Sequence, residues 1–116
     1  VSTDWIEHRR AGDRELLGWM EPRGEGFVVI DLLGRERTGI LEWMAAEEAL
    51  EDLGIGYLAD IYELQLDSGE WIRVRLAEVS PTSIVAKLDD WGAVGAPQVY
   101  YPLGFPMPST LRVLER

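Results

Sequence analysis

The sequence predicts an α+β domain built mainly from antiparallel strands, with one helix after the third strand. Three observations lead there. From Tyr57 to Asp90, three segments alternate apolar and polar residues with period two, as strands with one covered face do. Upstream, Trp43, Ala46, Leu50 and Leu53 recur at spacings of three and four, which sets them in one stripe of a helix. Before that stripe, Pro22-Arg23-Gly24-Glu25-Gly26 and Gly34-Arg35 divide the chain into strand-length pieces.

Glu15 to Glu21, Phe27 to Leu33 and Glu36 to Ile40 therefore read as a first meander. The helix follows, from about Glu42 to Leu53. Gly54 is placed as the left-handed residue past its end, with Ile55 folding back onto Leu50. Its outer face is acidic. Glu51 and Asp52 sit in the last turn, where the helix dipole disfavours anions by roughly 0.3–1 kcal/mol per exposed charge.

In the second meander Tyr62, Leu64 and Leu66 share the inner face of one strand, and Ile72, Val74 and Leu76 that of the next. Their even numbering requires an even index sum across the hairpin. A loop of Asp67-Ser68-Gly69 supplies the sum 136, gives Gly69 the left-handed position, and sets Glu63 opposite Arg73. After Leu76 the parity slips, because Val79 continues the apolar series, so a bulge is expected at Leu76 and Ala77. Ser80-Pro81-Thr82 makes the next turn, and Ile84, Ala86 and Leu88 form the inner face of a strand ending at Asp89-Asp90-Trp91-Gly92. Residues 92–116 read as a Pro- and Gly-rich tail packed on the domain, with an edge strand at Gln98 to Tyr101 and Leu111, Val113 and Leu114 tacking down the end.

That makes about six to seven strands in one small curved sheet or barrel. The element order resembles that of an OB-fold, and the bent strand after Gly69 resembles that of an SH3-like barrel. Neither likeness implies a function. All 116 residues fit one domain, 1–116.

Composition narrows the function classes. The chain has 47% hydrophobic residues, no Cys and one His, His8, which excludes disulfides, thiolate metal sites and a cysteine nucleophile. Of its net charge of -10, residues 38–70 contribute nine acids and no base. Such a field opposes phosphate backbones and anionic lipid, so no nucleic acid and no membrane partner is expected. No apolar run approaches a membrane span and no secretory signal is evident, which predicts a soluble, cytoplasmic protein. Ten Arg against the single Lys87 fit a GC-rich bacterial genome.

The candidate binding residues are Trp71, Arg73, Arg75, Tyr100 and Tyr101. Parity sets Trp71 outward beside two guanidinium groups, a composition typical of interface hot spots. A tail carrying Tyr100, Tyr101 and Phe105 could instead fold over Trp71 and cover it. The acidic helix face, Glu47, Glu48, Glu51 and Asp52, reads as a solvated face. His8-Arg9-Arg10 with Arg14 is the one basic cluster, interleaved with Glu7, Asp13 and Glu15 that would pair with it. Asp89-Asp90 lacks a nearby His and reads as a charged strand end. Gly24-Glu25-Gly26 is a turn, because no Lys-Ser/Thr follows it. Ser68 and Ser83 have no base within sequence reach. No catalytic constellation, metal site or cofactor is expected. The function these residues predict is a small non-catalytic binding or assembly module, self-association included, whose partner is a second copy or another protein. The alternative is a small-ligand binder or enzyme with its pocket at the barrel mouth.

Overall fold

The computed structural model describes residues 2–89 and 98–114. The chain divides into two compact units, Val1–Gly56 and Tyr57–Arg116, each with its own sheet.

The first unit is a three-stranded antiparallel sheet, β1 (Ile6–Arg9), β2 (Leu16–Arg23) and β3 (Gly26–Ile30), packed under one helix, α1 (Trp43–Leu53). Leu17, Met20 and Val29 from the sheet and Ala46 and Leu50 from the helix are its buried centre, with Ile6, Phe27, Leu41, Ala49 and Ile55 around them. The helix ends at Gly54 as expected, with φ 60 but with ψ -149, outside the left-handed helical region, and the Gly54 N–H donates to the Leu50 carbonyl at 3.1 Å. Trp43 departs from the expected stripe and is 42% exposed, lying edge-on to Phe27 at 5.1 Å between ring centroids.

Two glycines let the layers approach. A Cβ on Gly18 (φ +150) would stand 2.3 Å from the Ile30 carbonyl oxygen and 2.9 Å from Leu50 Cδ2. One on Gly26 would stand 2.4 Å from the Leu41 carbonyl oxygen. Pro22 lies within the central strand without cost, because β1 ends at Ile6 opposite Met20 and leaves no ladder partner for the missing N–H on that side.

The second unit is a five-stranded antiparallel sheet: β4 (Tyr62–Gln65), β5 (Trp71–Ser80), β6 (Ser83–Leu88), β7 (Tyr100–Pro102) and β8 (Leu111–Val113), in the order β7-β6-β5-β4-β8. Tyr62 pairs with Val74, Glu63 with Arg73 and Leu64 with Ile72, the register with sum 136. Gly69 has φ +91, and the ladder slips between Leu76 and Glu78. Both features match the expectation. Tyr62, Leu64, Val74, Ile84, Ala86 and Leu111 are buried. Residues of β4 and of the distant strand β7 line one cleft, so the sheet curls along its width.

The strand count and closure need correction. Among the described residues there are eight strands in two sheets, not six to seven in one, and no barrel closes. Ile6–Arg9 was not expected because one apolar residue in four carries little period-two signal. Glu36 to Ile40 is not a strand: it meets β3 through one isolated bridge, Ile30 with Glu36, and through hydrogen bonds of Arg37 and Thr38 with Val29, and a second bridge, Phe27 with Leu41, lies just past it. The tail supplies two strands, β7 and β8, rather than one. The expected corner Asp90-Trp91-Gly92 and the tail through Pro97 lie outside the described residues.

Candidate functional site

Alternation along the second sheet sorts its charged and aromatic residues by face. Directly paired residues share a face, so Tyr100, Lys87 and Arg75 form one row across β7, β6 and β5. Arg73, Glu63 and Arg112 form a second row across β5, β4 and β8. Trp71 stands two residues from Arg73 on the same side. Four of the second unit's cations thus meet on one outer face.

Their pairing differs. Glu63 accepts a hydrogen bond from Arg112 Nε at 3.0 Å and, although opposite Arg73, makes its ion pair with Arg112. Arg75 Nε donates to Asp89 at 3.4 Å and its Nη1 to the Ala59 carbonyl at 3.2 Å. Arg73 and Lys87 have no carboxylate at ion-pair distance among the described residues. The Arg112 guanidinium lies over the Trp71 ring, 3.6 Å from its centroid. The tail covers part of Trp71 through Arg112.

The five expected binding residues therefore separate. Trp71, Arg73, Arg75 and Tyr100 share the outer face. Tyr101 does not: it pairs with Ala86, on the inner side, and lines a cleft of about 330 Å³ with Leu64, Gln65, Leu66, Asp67, Pro102, Leu103 and Thr110. Lys87 and Arg112 complete the outer face and were absent from the expected set. Lys87 was legible from the parity of β6. Arg112 was not, since its strand pairs with β4 across a separation of about fifty residues.

Unit one pairs its charges within itself, around one buried carboxylate and several surface ones. Asp31 is fully buried: Oδ1 accepts from the backbone N–H of Leu33 (2.9 Å) and Arg35 (3.0 Å), and Oδ2 from Arg35 Nε and Arg37 Nη1, both at 2.8 Å. This carboxylate turns the chain out of β3. His8 faces two helix carboxylates, Glu51 at 3.2 Å and Glu47 at 3.6 Å, so α1's acidic face is partly engaged by β1 rather than wholly solvated. Arg10 makes a two-pronged pair with Asp13, at 3.0 and 2.8 Å. That hydrogen bond, with one from the Glu15 N–H, lowers the Asp13 pKa to about 2. Arg23 bridges Glu21 and Glu36. Its hydrogen bond holds the Glu36 carboxyl below the usual range. Beside α1 a cleft of about 390 Å³ is lined by Val29, Arg37, Thr38, Ala49, Asp52 and Leu53.

Among the described residues no group of three or more His, Asp or Glu is arranged to hold a metal ion, and no helix is long and apolar enough to cross a membrane. Asp89, half of the expected acidic pair, faces Arg75; Asp90 lies outside the described residues. No family model matches the chain, and comparison with curated proteins and with solved structures finds no match.

Proposed function

We propose that this chain is a small non-catalytic binding module whose outer sheet face receives an acidic protein segment. The observation that carries this reading is the placement of Arg73 and Lys87 on one face, beside Trp71 and Tyr100, with no carboxylate partner among the described residues of an acidic chain. Open cations suit carboxylates, which two-pronged Arg bonds orient, and the aromatic surface beside them suits the apolar part of the same segment. Nucleic acid is a poorer fit, because a net charge of -10 opposes phosphate at long range. The strand order β7-β6-β5-β4-β8 supports an open, SH3-like arrangement over an OB-like one, since the single α-helix lies outside this sheet.

Calorimetric titration with a tyrosine-containing polyglutamate peptide tests the reading. Arg73→Glu with Lys87→Glu should weaken binding by roughly tenfold or more. Equal binding by the variant, or none by the wild type, would overturn it.

The alternative of a small-ligand binder rests on the 330 Å³ cleft, within the size range of ligand pockets and mixing Leu64, Leu66 and Leu103 with Gln65, Tyr101 and Thr110. Arg73 and Arg75 do not line it, so they would not orient a ligand there.

A further inference from the structure

Among the described residues, the large hydrophobic side chains most open to solvent fall into two short stretches. Ile40 (56% exposed), Trp43 (42%) and Met44 (75%) lead into α1, while Val99 (39%) and Tyr100 (52%) lead into edge strand β7. Neither stretch is explained by its own unit's core. Trp43 lies edge-on to Phe27, Ile40 leans over Gly24 and Gly26 yet stays more than half exposed, and Met44 is 75% exposed.

The two patches carry opposite rims. Glu42 sits within the first, and Glu48 lies one helical turn beyond Met44. Lys87 is directly across from Tyr100 in the second, and Arg75 is directly across from Lys87. Asp89, bound to Arg75, offsets only part of that charge.

We infer that the Ile40-Trp43-Met44 patch of one copy docks on the Tyr100-Lys87 patch of a second copy. The inference rests on the sheet face being a docking surface and names its occupant. Charge complementarity selects it over the symmetric arrangements: either patch against itself would oppose like charges, which disfavours the contact, whereas the mixed pair joins acid to base around apolar centres. Because the two surfaces differ, the contact is head to tail. Each copy keeps one free patch, so association continues past a dimer unless a ring closes.

Salt is a poor discriminator here, since it screens both the local attraction and the repulsion between two acidic copies. Charge exchange is decisive. Sedimentation velocity of the wild-type chain should show concentration-dependent species beyond a monomer. Glu42→Arg with Glu48→Arg in one variant, and Arg73→Glu with Lys87→Glu in another, should each lose self-association by roughly tenfold or more, and an equal mixture of the two should recover it as alternating hetero-oligomers, since each patch of one variant then faces an oppositely charged patch of the other. Met44→Ser and Tyr100→Ser, exposed and neutral changes, should weaken association in the same direction with unchanged circular dichroism. A wild-type chain that stays monomeric overturns the inference, as does a mixture that fails to recover. If the polyglutamate peptide still binds in those cases, the sheet-face reading survives and the second copy alone is excluded as its occupant.

Discussion

The two units spend similar residues differently. In the first, cations close internal contacts: Arg35 and Arg37 clamp the buried Asp31, Arg10 holds Asp13, and Arg23 joins Glu21 to Glu36. In the second, Arg112 meets Glu63 at the sheet surface, Arg75 meets a nearly buried Asp89, and Arg73 and Lys87 meet no carboxylate among the described residues. A cation tied to a buried carboxylate fixes a turn. One left on a flat face stabilises little and remains available to something else. The contrast locates the candidate function in the second unit, although most of the net charge lies in the first.

Removing Asp31 is the strongest attack on that contrast. Asp31→Ala removes the buried carboxylate that accepts from two backbone N–H groups, Arg35 Nε and Arg37 Nη1, and should cost about 3 kcal/mol in urea unfolding. A loss below about 1 kcal/mol would mean that the clamp is not structural. Gly18→Ala comes next. Its Cβ would meet the Ile30 carbonyl oxygen at 2.3 Å, and the expected cost in the same assay is about 1–3 kcal/mol. A neutral result would show that β2 and β3 can part there.

By contrast, Arg73→Ala and Lys87→Ala should each shift unfolding stability by no more than about 0.5 kcal/mol. A larger loss would reassign them from partner binding to the fold. The smallest effect belongs to Asp13. Its folded pKa of about 2 lies below the ordinary aspartate value of 3.8, so its contribution is present above pH about 4 and fades as pH falls toward about 2. Nuclear magnetic resonance titration of the Asp13 carboxyl should show the low midpoint, and Arg10→Ala should return it toward the ordinary carboxylate value. An unchanged midpoint in that variant would remove Arg10 as the cause.

Much of the second unit was legible residue by residue. Alternation and the parity constraint around Asp67-Ser68-Gly69 led to the observed register, and the misplaced Val79 marked the bulge. The helix and its Gly54 end were equally readable. The candidate face was partly so: Trp71, Arg73 and Arg75 follow from one strand's parity, but Tyr101 separates from Tyr100 because neighbouring strand residues point to opposite sides. The first unit was harder. His8 reads as a member of a basic run until β1 sets it against Glu47 and Glu51, forty residues away in sequence. Nothing in Asp31's neighbours announces burial.

By itself, the sequence determined local matters: which segments alternate, where the helix stops, which turn needs a left-handed glycine, and how acidic the chain is. These depend on side-chain period and backbone sterics over a few residues. Only the tertiary structure decided the split into two sheets, the clamp on Asp31, the strand that places Arg112 over Trp71, and which cations lack a carboxylate among the described residues. Those depend on pairings between residues far apart in the chain, whose energies are set by burial and distance rather than by any local pattern.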